Sequence, residues 1–174
     1  MATWRLVARN RVLEEWSRRL RENPEMAIKR VVEAIGPRLR QWVERSWGGL
    51  TYRLTQMLTG HGCFGEYLCR IGRECGAHCH HCDGDLDTAQ HTLEVCPAWD
   101  AERGVLVAVI GGDLSFLGVV GAMLGSERKW CAVSSFCEQV MLAKEEAERA
   151  REPARDDAAE EVSRTPVKLV IQSV

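Results

Sequence analysis

Apolar residues along this chain recur mainly at spacings of three and four, the period of helices that bury one face. Between residues 4 and 22, Trp4, Val12, Leu13, Trp16 and Leu20 follow that spacing with arginines among them. The pattern predicts an amphipathic helix that Asn23-Pro24 ends. A second helix, about 25–35, offers Met26, Ile28, Val31, Val32 and Ile35 as its stripe and stops at Gly36-Pro37. Pro37 is placed to open a third, carrying Leu39, Trp42 and Val43.

Gly48-Gly49 breaks the chain again. LTYRLTQML then reads as a short helix, Gly60-His61-Gly62 as a turn, and CFGEYLCRI as one or two further helical turns. From Glu74 to Asp87 the apolar periodicity vanishes, so this stretch is a loop held by something other than a core. Asp87 or Thr88 caps a helix through AQHTLEV, and Pro97 restarts one through AWDAERGVLVAVI. Gly111-Gly112-Asp113 supplies a turn and a cap. DLSFLGVVGAML and a longer stretch from about 126 to 151 are the last two helices. Leu114, Leu117, Val120, Leu124, Trp130, Val133, Phe136, Val140 and Met141 form their core face. Beyond Pro153 the chain turns to Ala, Asp, Glu and Arg, so residues 153–174 are expected to be a disordered tail.

The fold class expected is mainly α: a small helical domain with an embedded loop whose Cys79, Cys82, His91 and Cys96 read as a CCHC zinc-binding set, and a disordered C-terminal tail. It divides into an N-terminal helical segment (1–73), a zinc knuckle (74–98), C-terminal helices (99–152) and the tail (153–174). At 174 residues the chain is long enough to bury a core without disulfide staples. The opening residues place arginines and glutamates where a signal peptide needs an apolar run, and no apolar stretch approaches membrane-spanning length. The expected location is intracellular, nuclear or cytoplasmic. There the eight cysteines are more readily thiols or metal ligands than disulfides.

The net charge of −2 conceals a polar arrangement. Residues 1–50 hold eleven Lys/Arg against six Asp/Glu, a surplus of +5, while residues 138–161 hold four against nine, a deficit of −5. The front of the chain attracts a polyanion and the back does not.

Candidate chemistry concentrates between residues 79 and 96, CHHCDGDLDTAQHTLEVC, which is C-x2-C-x8-H-x4-C. Two cysteines separated by two residues can share one tetrahedron, His91 lies on the following helix, and Cys96 can swing back to close the fourth vertex. Cys79, Cys82, His91 and Cys96 are thus the predicted ligands of one structural zinc ion, because three thiolates and an imidazole make a closed, soft shell. Its binding energy would be folding energy for a loop that has little else to order it. Cys75, His78, His80 and His81 are close enough to compete, and Cys75 in place of Cys79 would make a longer, less constrained C-x6-C turn. Cys63 and Cys69, and Cys131 and Cys137, repeat an i, i+6 spacing without histidine and read as small buried residues.

His80 and His81 are candidates to touch phosphate or a base, or are simply solvated. Arg53, Arg70 and Arg73, with Tyr52 and Tyr67 nearby, form either a basic strip with stacking surfaces or an ordinary amphipathic face. No catalytic constellation emerges: Asp156-Asp157 lies in a charged tail without the apolar strand that would hold magnesium ions, and no Gly-rich phosphate loop is present.

The run LTYRLTQMLTGHGCFGEYLCRIG, then CHHC, DTAQHTLEVCPAW and SFCEQVMLAKEEAERARE, resembles the C-terminal end of Pol polyproteins from insect non-LTR retrotransposons. The resemblance covers about residues 40–152. Leu54-Thr55-Gln56, Leu58-Thr59-Gly60-His61-Gly62 and the ligand set with Cys96-Pro97 are its most specific elements. It implies a segment that follows the reverse transcriptase core and carries a CCHC knuckle that binds nucleic acid. The first 73 residues would then be thumb-side or linker-like. The spacing departs from the C-x2-C-x4-H-x4-C of retroviral nucleocapsid knuckles: eight residues separate Cys82 from His91, leaving room for a helix. The expected function is a non-catalytic nucleic-acid-binding module in target-primed reverse transcription, with RNA or DNA and the rest of the polyprotein as partners, and neither a membrane nor a small-molecule substrate. The alternative is a zinc-stapled helical domain that mediates protein contacts.

Overall fold

The computed structural model describes residues 3–22 and 29–164, and the described residues are mainly helical with no strand among them. Among the described residues nine α-helices follow in order: α1 (Thr3–Glu22), α2 (Lys29–Ile35), α3 (Leu39–Glu44), α4 (Tyr52–Thr59), α5 (Gly65–Arg70), α6 (Ala89–Glu94), α7 (Asp100–Ile110), α8 (Phe116–Gly125) and α9 (Glu127–Arg164). Short 3-10 turns at Gly36–Arg38 and Pro97–Trp99 lead into α3 and α7, each opened by a proline whose missing N–H costs nothing there.

α9 is the spine, and α4, α7 and α8 all pack along it. Its face carries Trp130, Val133, Phe136, Cys137, Val140 and Met141, all buried, at the three- and four-residue spacing that the sequence displays. α4 meets it with Leu54, Met57 and Leu58. α4 is short but firmly bounded: the Thr51 hydroxyl accepts from Leu54 N–H at 3.2 Å, and Gly60, at φ 72°, lets its N–H return to Gln56 O. Of the residues expected in the C-terminal core, Leu117 is instead half exposed, facing away from α9 on the outer side of α8.

The N-terminal segment is tied to this spine by tryptophans. Trp42 tilts against Trp130 at 5.3 Å between ring centroids, and the Arg45 guanidinium lies over both rings at 4.5 and 4.2 Å. Gly48 passes so close to Trp130 that a Cβ there would sit 2.3 Å from the indole. The Trp130 indole N–H donates to Gly49 O at 3.3 Å.

α1 departs from the expected amphipathic packing. Leu13 is buried and Leu20 partly so, but Trp4, Val12 and Trp16 are each more than half exposed. The helix packs mainly on the Gly36–Arg38 turn and α3. Of the α2 stripe, Ile35 is buried and Val31 packs against the core, while Met26 and Ile28 lie outside the described residues. Asp113 caps α8 indirectly: Ser115 is the cap, accepting from Gly118 N–H, and Asp113 accepts from the Ser115 hydroxyl at 2.6 Å.

The last helix continues past the expected stop near residue 151, through Pro153 to Arg164. A single proline costs about 3 kcal/mol in a helix, but the flanking EEAERARE and ARDDAAEE are strong helix formers over many residues. The rest of the expected disordered tail, 165–174, lies outside the described residues. No helix among the described residues is long and apolar enough to cross a membrane.

Candidate metal centre

The loop that lacks apolar periodicity folds back on itself by hydrogen bonding. Cys79 N–H donates to Gly84 O at 2.7 Å and Asp83 N–H to Cys79 O at 2.9 Å, with Asp83 in the left-handed region at φ 56°. The turn brings Cys79 and Cys82 to one side. Thr88 then caps α6, its hydroxyl accepting from His91 N–H at 2.9 Å, so His91 sits in the first helical turn with Nε2 3.3 Å from Cys82 Sγ. As α6 ends, Cys96 N–H donates to His91 O at 2.8 Å, curling the chain back until Cys96 Sγ is 3.9 Å from Cys79 Sγ.

The four ligand atoms all lie within 4.8 Å of one another. A tetrahedral ion with metal–sulfur bonds of about 2.3 Å separates its sulfurs by roughly 3.8 Å. Cys79, Cys82, His91 and Cys96 therefore form a cluster able to hold one metal ion. Cys75, His78, His80 and His81 stay outside it, which resolves the competition over register.

Electrostatics suits a cation at this point. Burial, then contact with Cys82 and Cys79, pushes the Cys96 thiol up to about 12, and burial also raises Cys79. Crowded sulfurs resist becoming thiolates until a positive ion compensates them. Backbone donors are already in place to share that charge: His81 N–H reaches Cys79 and Ala98 N–H reaches Cys96. Burial lowers His91, which keeps the imidazole neutral and its lone pair available. Gly84 lies against the ligands, where an added Cβ would come within 3.3 Å of Cys82 Sγ and 3.4 Å of His91 Cε1.

The loop has anchors that need no metal. Asp87 is buried and forms an ion pair with the equally buried Lys144 of α9, with Nζ 2.9 and 2.8 Å from the two carboxylate oxygens. Gly65 N–H donates to the same carboxylate at 3.0 Å, and Asp87 N–H donates to Ala77 O at 2.7 Å. Gly65 must lack a side chain here, because a Cβ would lie 2.5 Å from His78 O. Arg103, also buried, donates through Nε to Leu93 O at 2.9 Å and through Nη2 to Cys96 O, holding the end of α6 beside the fourth ligand. The expectation that little besides metal orders this loop is thus corrected by Asp87, Lys144 and Arg103. The sequence offers only a weak signal for the pair, a lysine in an otherwise apolar face of α9.

The candidate nucleic-acid residues mostly have partners within the molecule. Arg53 pairs with Glu138 and Glu145 of α9 at 3.0 and 2.8 Å. Arg73 pairs with Glu148 at 3.7 Å and with Glu152. Arg70 is exposed and lies over the Tyr67 ring at 5.1 Å. His81 packs on Trp99 at 4.8 Å, and burial pushes it down to about 4. His80 edges against His78 and sits 3.4 Å from Glu74. Of the i, i+6 cysteines only Cys137 is fully buried; Cys63 and Cys69 are half-buried, and Cys131 points to solvent from the outer side of α9.

No family model, curated protein or solved structure matches the chain.

Proposed function

We propose that the cluster holds one structural zinc ion and that the chain is a non-catalytic nucleic-acid-binding module, of the kind that follows the polymerase in a non-LTR retrotransposon reverse transcriptase. The carrying observation is the closed set of Cys79, Cys82, His91 and Cys96, three sulfurs and one imidazole with no vertex left for substrate. Such a shell favours zinc by softness and geometry, and its chemistry is to hold, not to hydrolyse. The motif resemblance around Leu54-Thr55-Gln56, Leu58–Gly62 and Cys96-Pro97 supports the reading of a module that acts beside a polymerase and grips RNA or target DNA.

One surface that supports nucleic-acid contact lies on α1, whereas Arg53 and Arg73 are engaged by glutamates of α9. Arg5, Arg9, Val12 and Trp16 fall at i, i+4, i+7 and i+11 on one exposed face, combining guanidinium groups with an indole. Arginines meet phosphate and an exposed tryptophan offers a stacking surface. Binding measured by fluorescence anisotropy is expected to weaken steeply as salt rises, because each neutralised phosphate releases counterions. Replacing Arg5 and Arg9 by alanine should lower affinity and flatten that salt slope by about two units of log K per log salt. Absence of binding to single- and double-stranded RNA and DNA at low salt would refute this function.

A second reading is favoured by one observation. Arg53 and Arg73 are engaged by glutamates of α9, while Trp4, Leu6 and Val7 expose apolar surface on α1. A zinc-stapled domain that docks a protein through α1 would show the same features. It predicts salt-insensitive association lost on Trp4→Ala or Val7→Ala.

A further inference from the structure

The motif at Leu54–Gln56 and Leu58–Gly62 is not used by the metal site, yet it builds a groove of its own. Two lobes meet at Thr59 and His61, between α4 and the start of α5. One, of about 310 Å³, is also lined by Tyr52, Gln56 and Tyr67; the other, of about 530 Å³, by Lys29, Arg30 and Arg70 together with Glu33 and Glu66. Both volumes fall in the range of small-ligand sites.

The first lobe is an aromatic shelf. His61 stacks on Tyr67 with ring centroids 4.7 Å apart and planes at 28°, and Arg70 covers the tyrosine ring at 5.1 Å. Beside the shelf stands a polar group without a partner: Gln56 is only 7% exposed, and its Oε1 is buried with no hydrogen bond. On a helix whose neighbouring buried residues are Leu54, Met57 and Leu58, an apolar side chain would suit the core better. A buried acceptor left open in this way asks for an outside donor. The second lobe repeats the pattern with opposite polarity. Arg30 Nη2 is buried without a partner, its guanidinium held over the Phe116 ring at 4.1 Å. Three cations face two carboxylates there, one of which, Glu33, is 3.8 Å from Lys29.

We propose that this groove takes one nucleotide unit of a single strand, its base against the His61–Tyr67 stack with Gln56 meeting a donor on the base edge, and its phosphate in the lobe of Arg30 and Arg70. An aromatic shelf, a buried amide acceptor and an adjoining anion subsite together match the base and phosphate of a nucleotide. The inference rests on the nucleic-acid function proposed above and gives that function a specific address.

The test uses the full zinc-loaded chain with a short labelled pyrimidine single strand followed by anisotropy, and with free UMP followed by NMR. Tyr67→Leu should weaken strand binding roughly five- to a hundred-fold, the worth of one stacked base. Gln56→Leu should weaken binding while raising the melting temperature, because it removes an unsatisfied acceptor. A purely structural Gln56 would give the reverse: lower melting and unchanged binding. If the wild type binds strands and both variants bind equally well, the groove assignment is wrong and the general function stands. If UMP binds with the same sensitivity to both variants but strands do not, the groove is a nucleotide site and the strand-binding function is wrong. If neither probe binds, both are overturned.

Discussion

Asp87 shows how one side chain ties the metal loop to the rest of the molecule. Its carboxylate meets Lys144 inside the protein, where neither charge can be hydrated, and the Lys144 ammonium also lies 5.3 Å from the Phe64 ring. Removing one partner of such a pair strands the other, at a cost of about 3–5 kcal/mol. Asp87→Asn should therefore lower unfolding stability by that amount in urea titrations, and replacing both residues by apolar ones of similar volume should recover most of it. The buried thiols make a second, pH-dependent prediction. Burial, then Glu148 and Glu145, pushes Cys63 up to about 11 from an ordinary value of 9.0, and burial raises Cys137 further. The folded chain thus favours the neutral thiol, so this contribution is fully present below about pH 9 and is lost as pH climbs through 11. Thermal melting across pH 8 to 11 should fall, and Cys63→Ala should reduce the slope; a flat profile would contradict it.

At the scale of elements, short helices succeed here because they are capped and packed rather than because they are long. α6 is only six residues, and Thr88 both starts it and orients His91. Thr88→Ala should cost about 1 kcal/mol in stability and, unlike a cap elsewhere, should also weaken metal affinity in a competition titration with a chelating dye. Helices α2 to α8 were legible from apolar spacing, glycine breaks and prolines, since those signals are local. The end of α9 was not, because the helix-forming run on both sides of Pro153 outweighs a single breaker. The packing of α1 was not either: periodicity marks an amphipathic face but cannot tell which part of it is buried, and Trp4 and Trp16 stay more than half exposed.

For the whole molecule, the charge asymmetry read from the sequence resolves into internal pairing at one end and exposure at the other. Glu138, Glu145, Glu148 and Glu152 of α9 receive Arg53 and Arg73, whereas Arg5, Arg9 and Arg11 of α1 stand in solvent. Arginine spacing alone could not separate these roles, since ion pairs between residues some eighty positions apart depend on the tertiary fold. The Cys/His cluster was legible because C-x2-C and His91 three residues after the capping Thr88 obey local geometry. The Asp87–Lys144 pair that braces it is a product of α9 meeting the loop, and the groove at His61 of α2, α4 and α5 meeting one another, which no local pattern encodes. The most direct measurement is zinc content with X-ray absorption at the zinc edge on the purified chain. One zinc per chain, with three sulfurs at about 2.3 Å and one nitrogen at about 2.0 Å, is the predicted result. A chain that folds fully without metal and takes up none, even with Cys79, Cys82 and Cys96 reduced, would contradict it.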